Sequence, residues 1–85
     1  MFDIFLDIPA QSFLEGVHIS TWFQFKETFI KLSEDPVPSD AMRILDRKEK
    51  LFRLRSNRLR YLYRLDYDKN KIVIIKIEAV RCMRF

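Results

Sequence analysis

Arginines recur through the second half of the chain, and their spacing suits chemistry on phosphate groups. Arg53 and Arg55 are two residues apart, as are Arg58 and Arg60, with Arg64 four residues further on. In a β-strand, residues two apart share a face. A planar guanidinium can bond two phosphate oxygens at once. The pattern predicts rows of phosphate-binding groups on two strands, and the register of the turn between the strands decides whether both rows share one face.

The distribution of charge favours an anionic partner. The chain has 85 residues and a net charge of +4. Residues 1–40 hold two cations and seven anions, a balance of −5, whereas residues 41–85 hold fourteen cations and five anions, a balance of +9. A solvated outer face is the ordinary explanation for polar residues on a sheet. Such faces usually mix signs because like charges opposite each other repel, and no acid lies between Leu51 and Leu65.

The residue inventory excludes several other kinds of site. Gly16 is the only glycine, so a glycine-rich phosphate loop cannot form. One thiol, Cys82, and one imidazole, His18, make neither a disulfide nor a zinc site. We therefore predict no metal and no small-molecule cofactor. No leader opens the chain and no apolar run approaches the roughly 18 residues of a membrane span, which predicts a cytoplasmic protein without membrane contact.

The first half of the chain predicts one strand and two helices. Apolar and polar residues alternate over 2–8, which predicts a half-buried strand ended by Pro9. Residues 10–15 predict a short helix that stops at Gly16. A longer helix is predicted over 21–33, and a capping-box pattern starts at the first residue of this helix. Its stripe of aromatic residues is predicted to pack in the core.

The second half predicts an antiparallel sheet. Residues 39–50 are predicted to be irregular, with Ile44 and Leu45 as apolar anchors. Two alternating strands follow, joined by a turn at Ser56 and Asn57, and a β-branched strand is predicted over 72–77. The interleaved tyrosines are predicted to face the core. At this length we expect a single domain over residues 1–85, of class α+β and order β-α-α-β-β-β, with both helices on one face of the sheet.

Three segments resemble motifs of the RelE/ParE toxin family. Residues 32–36 resemble the L-x-x-x-P joint that follows the long helix of these toxins. Residues 51–55 resemble their L-Y-R-[LI]-R strand. Residues 57–63 resemble G-D-Y-R-[VL]-[IV]-Y, with Arg60 and Tyr63 at the most characteristic positions. The resemblance covers most of the chain and agrees with the predicted order of elements.

The resemblance implies a toxin of a toxin–antitoxin pair. RelE-like members enter the ribosomal A site and cleave mRNA by attack of a 2′-hydroxyl on the adjacent phosphate, which inhibits translation. ParE-like members inhibit DNA gyrase instead. The implied partners are mRNA, the ribosome with its rRNA, and an acidic RelB-like antitoxin protein whose amphipathic helix would lie across the basic sheet.

The resemblance also implies which residues act. The implied catalytic residues are Arg53, Arg55, Arg60, Arg81 and Lys48. The implied RNA-binding residues are Lys50, Arg58, Arg64, Arg84 and Phe85. The arginines would stabilise charge, and Lys48 or Lys50 would serve as general base, because an arginine is a poor proton shuttle.

The chain departs from the family pattern at two places. Phe85 stands near the position of the family tyrosine and lacks its hydroxyl, which leaves only stacking. Asn57 and Arg58 replace the usual Gly-Asp turn. Three hypotheses therefore stay open: a ribosome-dependent endoribonuclease, a gyrase inhibitor without chemistry of its own, and a nucleic-acid-binding module without toxicity.

Overall fold

The strands of the described chain all belong to one sheet. The computed structural model describes residues 1–44 and 50–80. Its elements are β1 (Asp3–Leu6), α1 (Ile8–Glu15), α2 (Ile19–Glu34), β2 (Met42–Ile44), β3 (Leu51–Ser56), β4 (Leu59–Asp66) and β5 (Lys71–Ala79). The strand order across the sheet is β1-β5-β4-β3-β2, and only the β1–β5 pair is parallel. The predicted α+β class with a mainly antiparallel sheet is confirmed, with one strand more than predicted.

The first strand is shorter than its alternation predicts, because a helix begins at Ile8. The side chain of Asp7 accepts a hydrogen bond of 2.8 Å from the backbone N–H of Ile8 and so caps α1. Pro9 lies in the first turn of this helix, where a backbone N–H is not needed. The prediction that Pro9 ends a strand over residues 2–8 is therefore wrong, whereas Gly16 does cap the C-terminus of α1 as predicted.

The long helix α2 begins two residues before the predicted capping box. Its N-cap is His18, whose Nδ1 accepts a hydrogen bond of 3.1 Å from the N–H of Ser20. Thr21 consequently lies inside the first turn, and the prediction that it starts the helix is wrong. The C-terminus agrees with the prediction, since Asp35 caps the helix immediately before Pro36.

Both helices pack on the same face of the sheet and form one core with it. Phe25 and Leu32 of α2 are almost fully buried there, together with Ala10 of α1. The sheet supplies Tyr61 and Tyr63, neither of which is exposed, which confirms the prediction that the tyrosines face the core. The aromatic stripe of α2 thus packs largely as predicted. Its first member is the exception, since Trp22 stacks on Phe25 but keeps 41% of its surface exposed.

A short edge strand replaces part of the segment that was predicted to be irregular. In β2, Met42 lies opposite Arg53 of β3 and Ile44 lies opposite Leu51. Three residues are too few to reveal an alternation, so the sequence gives no signal for this strand. Ile44 is half-buried, but it lies outside the hydrophobic core. The other predicted anchor, Leu45, lies outside the described residues.

The β3–β4 hairpin turns one residue later than predicted. Ser56 pairs with Leu59, so Asn57 and Arg58 form the two-residue turn. Asn57 has a φ of 58°, a left-handed conformation that asparagine tolerates better than most residues. The N–H of Val80 donates to the carbonyl oxygen of Arg58 at 2.8 Å, which ties the turn to the end of β5.

The two buried tyrosines differ in their hydrogen bonds. The Tyr63 hydroxyl donates to the carbonyl oxygen of Pro36 at 2.7 Å and thereby holds the chain that leaves α2 against the sheet. Burial raises the pKa of Tyr63, so the hydroxyl stays protonated and able to donate. The Tyr61 hydroxyl lies near Thr28, but it has no hydrogen bond of ordinary geometry to any described residue.

This difference predicts that the same substitution at the two positions changes the free energy of unfolding by different amounts. Tyr63→Phe is expected to lower the free energy of unfolding by about 1 kcal/mol, because it leaves the Pro36 carbonyl without its donor. Tyr61→Phe removes a buried hydroxyl without a partner and is expected to change it by less than about 0.5 kcal/mol. Urea unfolding of both variants measures the difference, and equal losses would contradict the assignment.

Candidate nucleic-acid interface

The register of the β3–β4 hairpin places arginines from both predicted rows on one face of the sheet. Arg55 lies directly opposite Arg60, and Leu51 lies opposite Arg64. Arg53 shares the face of Arg55, because residues two apart on a strand point the same way. We call the face opposite the helices the outer face. Four of the five hairpin arginines therefore share the outer face, namely Arg53, Arg55, Arg60 and Arg64.

An irregularity in β5 decides which of its residues reach the outer face. Leu62 lies opposite Lys76, whereas the next residue of β4, Tyr63, lies opposite Ile74. Ile75 is therefore an extra residue without a partner, as in a β-bulge. A bulge exchanges the faces of all residues that follow it, so Lys76 joins the outer face.

A cavity of about 250 Å³ opens near the centre of the outer face. We call it the central cavity. Its lining residues are Ile44, Arg53, Arg60, Leu62, Lys76 and Glu78. Three of these side chains are cationic, two are apolar and one is a carboxylate. The predicted residues Arg53 and Arg60 therefore meet at one site.

The carboxylate of Glu78 lies between two of the cations. Its Oε1 is 3.3 Å from Nη2 of Arg60, and its Oε2 is 3.2 Å from Nζ of Lys76. Lys76, and to a smaller extent Arg60, lowers the pKa of Glu78. The three side chains are between 41% and 55% exposed, so solvent screens the ion pairs and they contribute little to stability. Their effect is to orient the charged groups around the cavity.

The central cavity combines groups that suit reactions at a phosphodiester. Arg53 and Arg60 can share the oxygens of a phosphate, and Lys76 adds a third positive charge. Preorganised cations of this kind stabilise a transition state that gains negative charge. Leu62 and Ile44 give the cavity an apolar wall against which a ribose or a base can pack.

Arg55 and Arg58 line a separate groove at the hairpin end of the sheet. The groove has a volume of about 1220 Å³ and also includes His18 at the start of α2. Arg58 lies in the turn, because β4 begins only at Leu59. The prediction that Arg58 belongs to the strand row of Arg60 and Arg64 is therefore wrong.

Lys50 and Arg64 lie at the opposite end of the sheet. They line a cavity of about 360 Å³ that also contains the acids Asp66 and Asp68. The Nζ of Lys50 is 4.7 Å from the centre of the Tyr67 ring, a cation–π distance. Lys50, which the sequence offered as a general base, is thus not among the residues of the central cavity.

Four predicted site residues cannot be placed. Lys48, Arg81, Arg84 and Phe85 lie outside the described residues. Conversely, Lys76 and Glu78 were not predicted as site residues. Glu78 lies one residue beyond the strand predicted over 72–77, and that strand was predicted only from its β-branched residues.

Within residues 1–44 and 50–80, no group of three or more His, Cys, Asp or Glu side chains could hold a metal ion. Neither helix found there combines the length and the apolar character needed to cross a membrane.

Comparison with known proteins finds similarity in structure. No protein-family model and no curated protein sequence matches the chain. A chain of the archaeal RelE–RelB complex from Pyrococcus horikoshii superposes with a TM-score of 0.80 at 20% identity, over 92% of this chain and 93% of the other. A chain of the toxin–antitoxin complex RelBE2 from Mycobacterium tuberculosis gives 0.78 at 21% identity, over 92% and 96%.

A toxin solved without an antitoxin gives the same result. The isolated Escherichia coli RelE toxin superposes with a TM-score of 0.77 at 15% identity, over 98% of this chain and 88% of the toxin. At sequence identities this low, the similarity shows a shared fold only. The resemblance that the sequence motifs carry is confirmed at that level: this chain has the fold of the RelE toxins.

Proposed function

We propose that this protein is the toxin of a toxin–antitoxin pair and an endoribonuclease that cleaves mRNA in the ribosomal A site, thereby inhibiting translation in the cytoplasm. The observation that carries the proposal is the central cavity, where Arg53, Arg60 and Lys76 converge on a face that the helices leave open. The fold of the RelE toxins supports it.

The proposed reaction is attack of a ribose 2′-hydroxyl on the adjacent phosphate. Negative charge grows on the phosphate oxygens as the attacking oxygen approaches. Arg53 and Arg60 would bind those oxygens and stabilise the charge. Arg81 and Lys48 are proposed as further catalytic residues, and Arg84 and Phe85 as contacts with RNA.

The cations on either side of the central cavity suit an extended single strand of RNA. Arg55 and Arg58 lie towards the hairpin end, and Lys50 and Arg64 lie towards the other end. A strand whose scissile phosphate occupies the cavity would therefore meet cationic side chains in both directions, with the acids Asp66 and Asp68 beside those at the Lys50 end. Sequence-independent contacts of this kind typically track the RNA backbone.

An acidic RelB-like antitoxin is the second proposed partner. Two of the similar structures are complexes of a toxin with its antitoxin. The outer face offers such a protein arginines for its carboxylates and the side chains of Leu62 and Ile44 for its apolar residues. A helix lying there would cover the central cavity, which gives a direct mechanism of neutralisation.

Removing Arg60 tests the nuclease proposal. Induced expression of the wild type is expected to arrest growth and to produce cuts in mRNA on translating ribosomes. Arg60→Ala is expected to reduce the cleavage rate about 10²- to 10³-fold, the usual effect of losing one preorganised charge stabiliser. Lys26→Ala is the matched control, because it removes one exposed cation from α2, on the helix side of the molecule.

The alternative outcomes separate the remaining hypotheses. Growth arrest with intact messages would contradict the nuclease proposal and favour gyrase, which gyrase-dependent DNA damage would then identify. Absence of arrest in the wild type would favour a binding module without toxicity. In that case Arg60→Ala would only weaken RNA binding, by a similar factor for all sequences.

The opposition of Arg55 and Arg60 predicts a conflict between stability and binding. Arg55→Thr removes a like-charge pair and keeps a residue that favours strands, so the free energy of unfolding should rise by about 0.5 kcal/mol at low salt. The same variant should bind single-stranded RNA less tightly. The slope of log affinity against log salt should become shallower by about 0.7, the loss expected for one phosphate contact.

Both quantities can be measured on one preparation, by urea unfolding and by fluorescence anisotropy with a labelled RNA. A variant that gains stability without losing affinity would show that Arg55 does not contact RNA. The Lys26→Ala variant again controls for the loss of one positive charge.

A further inference from the structure

Among the described residues that line the central cavity, Glu78 is the single carboxylate. It lies directly opposite Arg60 on the neighbouring strand. Lys76, two residues earlier, shares its face and also lines the cavity. An acid at this position is unexpected on a surface that only binds RNA, because it lowers the attraction for phosphate.

The ion pairs hold the carboxylate in place without burying it. Each oxygen of Glu78 lies near one cation, Oε1 near Arg60 and Oε2 near Lys76. The side chain nevertheless keeps 41% of its surface exposed, so a bound molecule can reach it. The two cations also keep the pKa of Glu78 below its ordinary value, which leaves the group ionised at neutral pH.

Of the described side chains that line the cavity, Glu78 is also the one that is ready to accept a proton. A guanidinium does not deprotonate in proteins, and an ammonium must lose a proton before it can act as a base. An ionised carboxylate only accepts. Of the two lysines that the sequence predicts as the base, Lys50 lines another cavity, and Lys48 lies outside the described residues.

We infer that Glu78 is the general base of the proposed cleavage, an inference that rests on the proposed endoribonuclease function. Its carboxylate takes the proton of the ribose 2′-hydroxyl as that oxygen forms a bond to the adjacent phosphorus. The bond from phosphorus to the 5′-oxygen breaks, and the leaving oxygen takes a proton from water. The hydroxide that remains takes the proton from Glu78 and restores its carboxylate. The products are a 2′,3′-cyclic phosphate and a 5′-hydroxyl end.

In this arrangement the neighbours of Glu78 have separate tasks. Arg53 and Arg60 bind the non-bridging phosphate oxygens, and the 3.3 Å contact between Arg60 and Glu78 sets the base beside the phosphate that Arg60 holds. Lys76, at 3.2 Å, keeps the carboxylate directed over the cavity. A carboxylate beside the phosphate-binding groups is the arrangement that a transfer from the 2′-hydroxyl needs.

The test is single-turnover cleavage of a defined message in the A site of programmed ribosomes, measured against pH for the full-length protein. Glu78→Gln keeps the size of the side chain and its ability to bond Arg60, but it cannot accept the proton. The expected result is a loss of cleavage of about 10²- to 10⁴-fold, the usual contribution of a general base. Glu27→Gln, an exposed position on α2, is the matched control and should cleave like the wild type.

Two further measurements separate catalysis from positioning. Glu78→Gln should bind a message with a 2′-deoxyribose at the cleavage site at least as tightly as the wild type does, because the variant removes a negative charge. The wild-type rate should rise with pH through the acidic range and then level off, and this rise should disappear in Glu78→Gln. Glu78→Asp, which keeps a carboxylate, should recover part of the rate together with the rise.

The outcomes distinguish this inference from the function on which it rests. Cleavage by Glu78→Gln within about threefold of the wild-type rate, with Arg60→Ala inactive, would overturn the role of Glu78 and leave the nuclease proposal standing. Binding that weakens as much as cleavage would also overturn it, since Glu78 would then only position Arg60. A wild type that leaves the message intact would overturn both.

Discussion

The pairing register of the β3–β4 hairpin is the constraint on which both faces of the sheet depend. With Ser56 opposite Leu59, the tyrosines of β4 face the helices and the arginines face solvent. The side-chain period of a strand is two, so a slip of one residue would exchange the faces. It would place Arg60 and Arg64 against the apolar helices, where an unpaired charge costs several kcal/mol. Core and cationic surface are thus fixed by one two-residue turn.

The packing of the helices on the sheet stabilises this register. Phe25 and Leu32 of α2 are buried against the sheet, and the Tyr63 hydroxyl ties the end of that helix to β4. The helices cover only one face of the sheet, and within the described residues no helix lies on the other face, which suits an anionic partner. Arg55 and Arg60 repel each other across that open face, and Glu78, opposite Arg60 on its other side, partly offsets the repulsion.

The sequence predicts this molecule best where a regular pattern runs for many residues. The alternation of β4 and the helical spacing of α2 revealed the elements, their faces and the convergence of arginines. Prediction failed where a single contact decides, as with His18, an N-cap made by an imidazole nitrogen. It failed for Met42–Ile44, which only pairing defines. Glu78 was not predicted as a site residue, because its face depends on a bulge that the alternation of β5 does not indicate.

The bulge at Ile75 makes the outer face depend on the length of β5 as well as on its residue types. If Ile75 were instead paired regularly with β4, the composition of the strand would be unchanged, yet Lys76 would turn towards the core and Ile77 into solvent. A relative without the bulge can therefore be aligned with this chain beyond position 75 only across a one-residue gap. Matching Arg81 to a catalytic position of the RelE toxins depends on where that gap is placed.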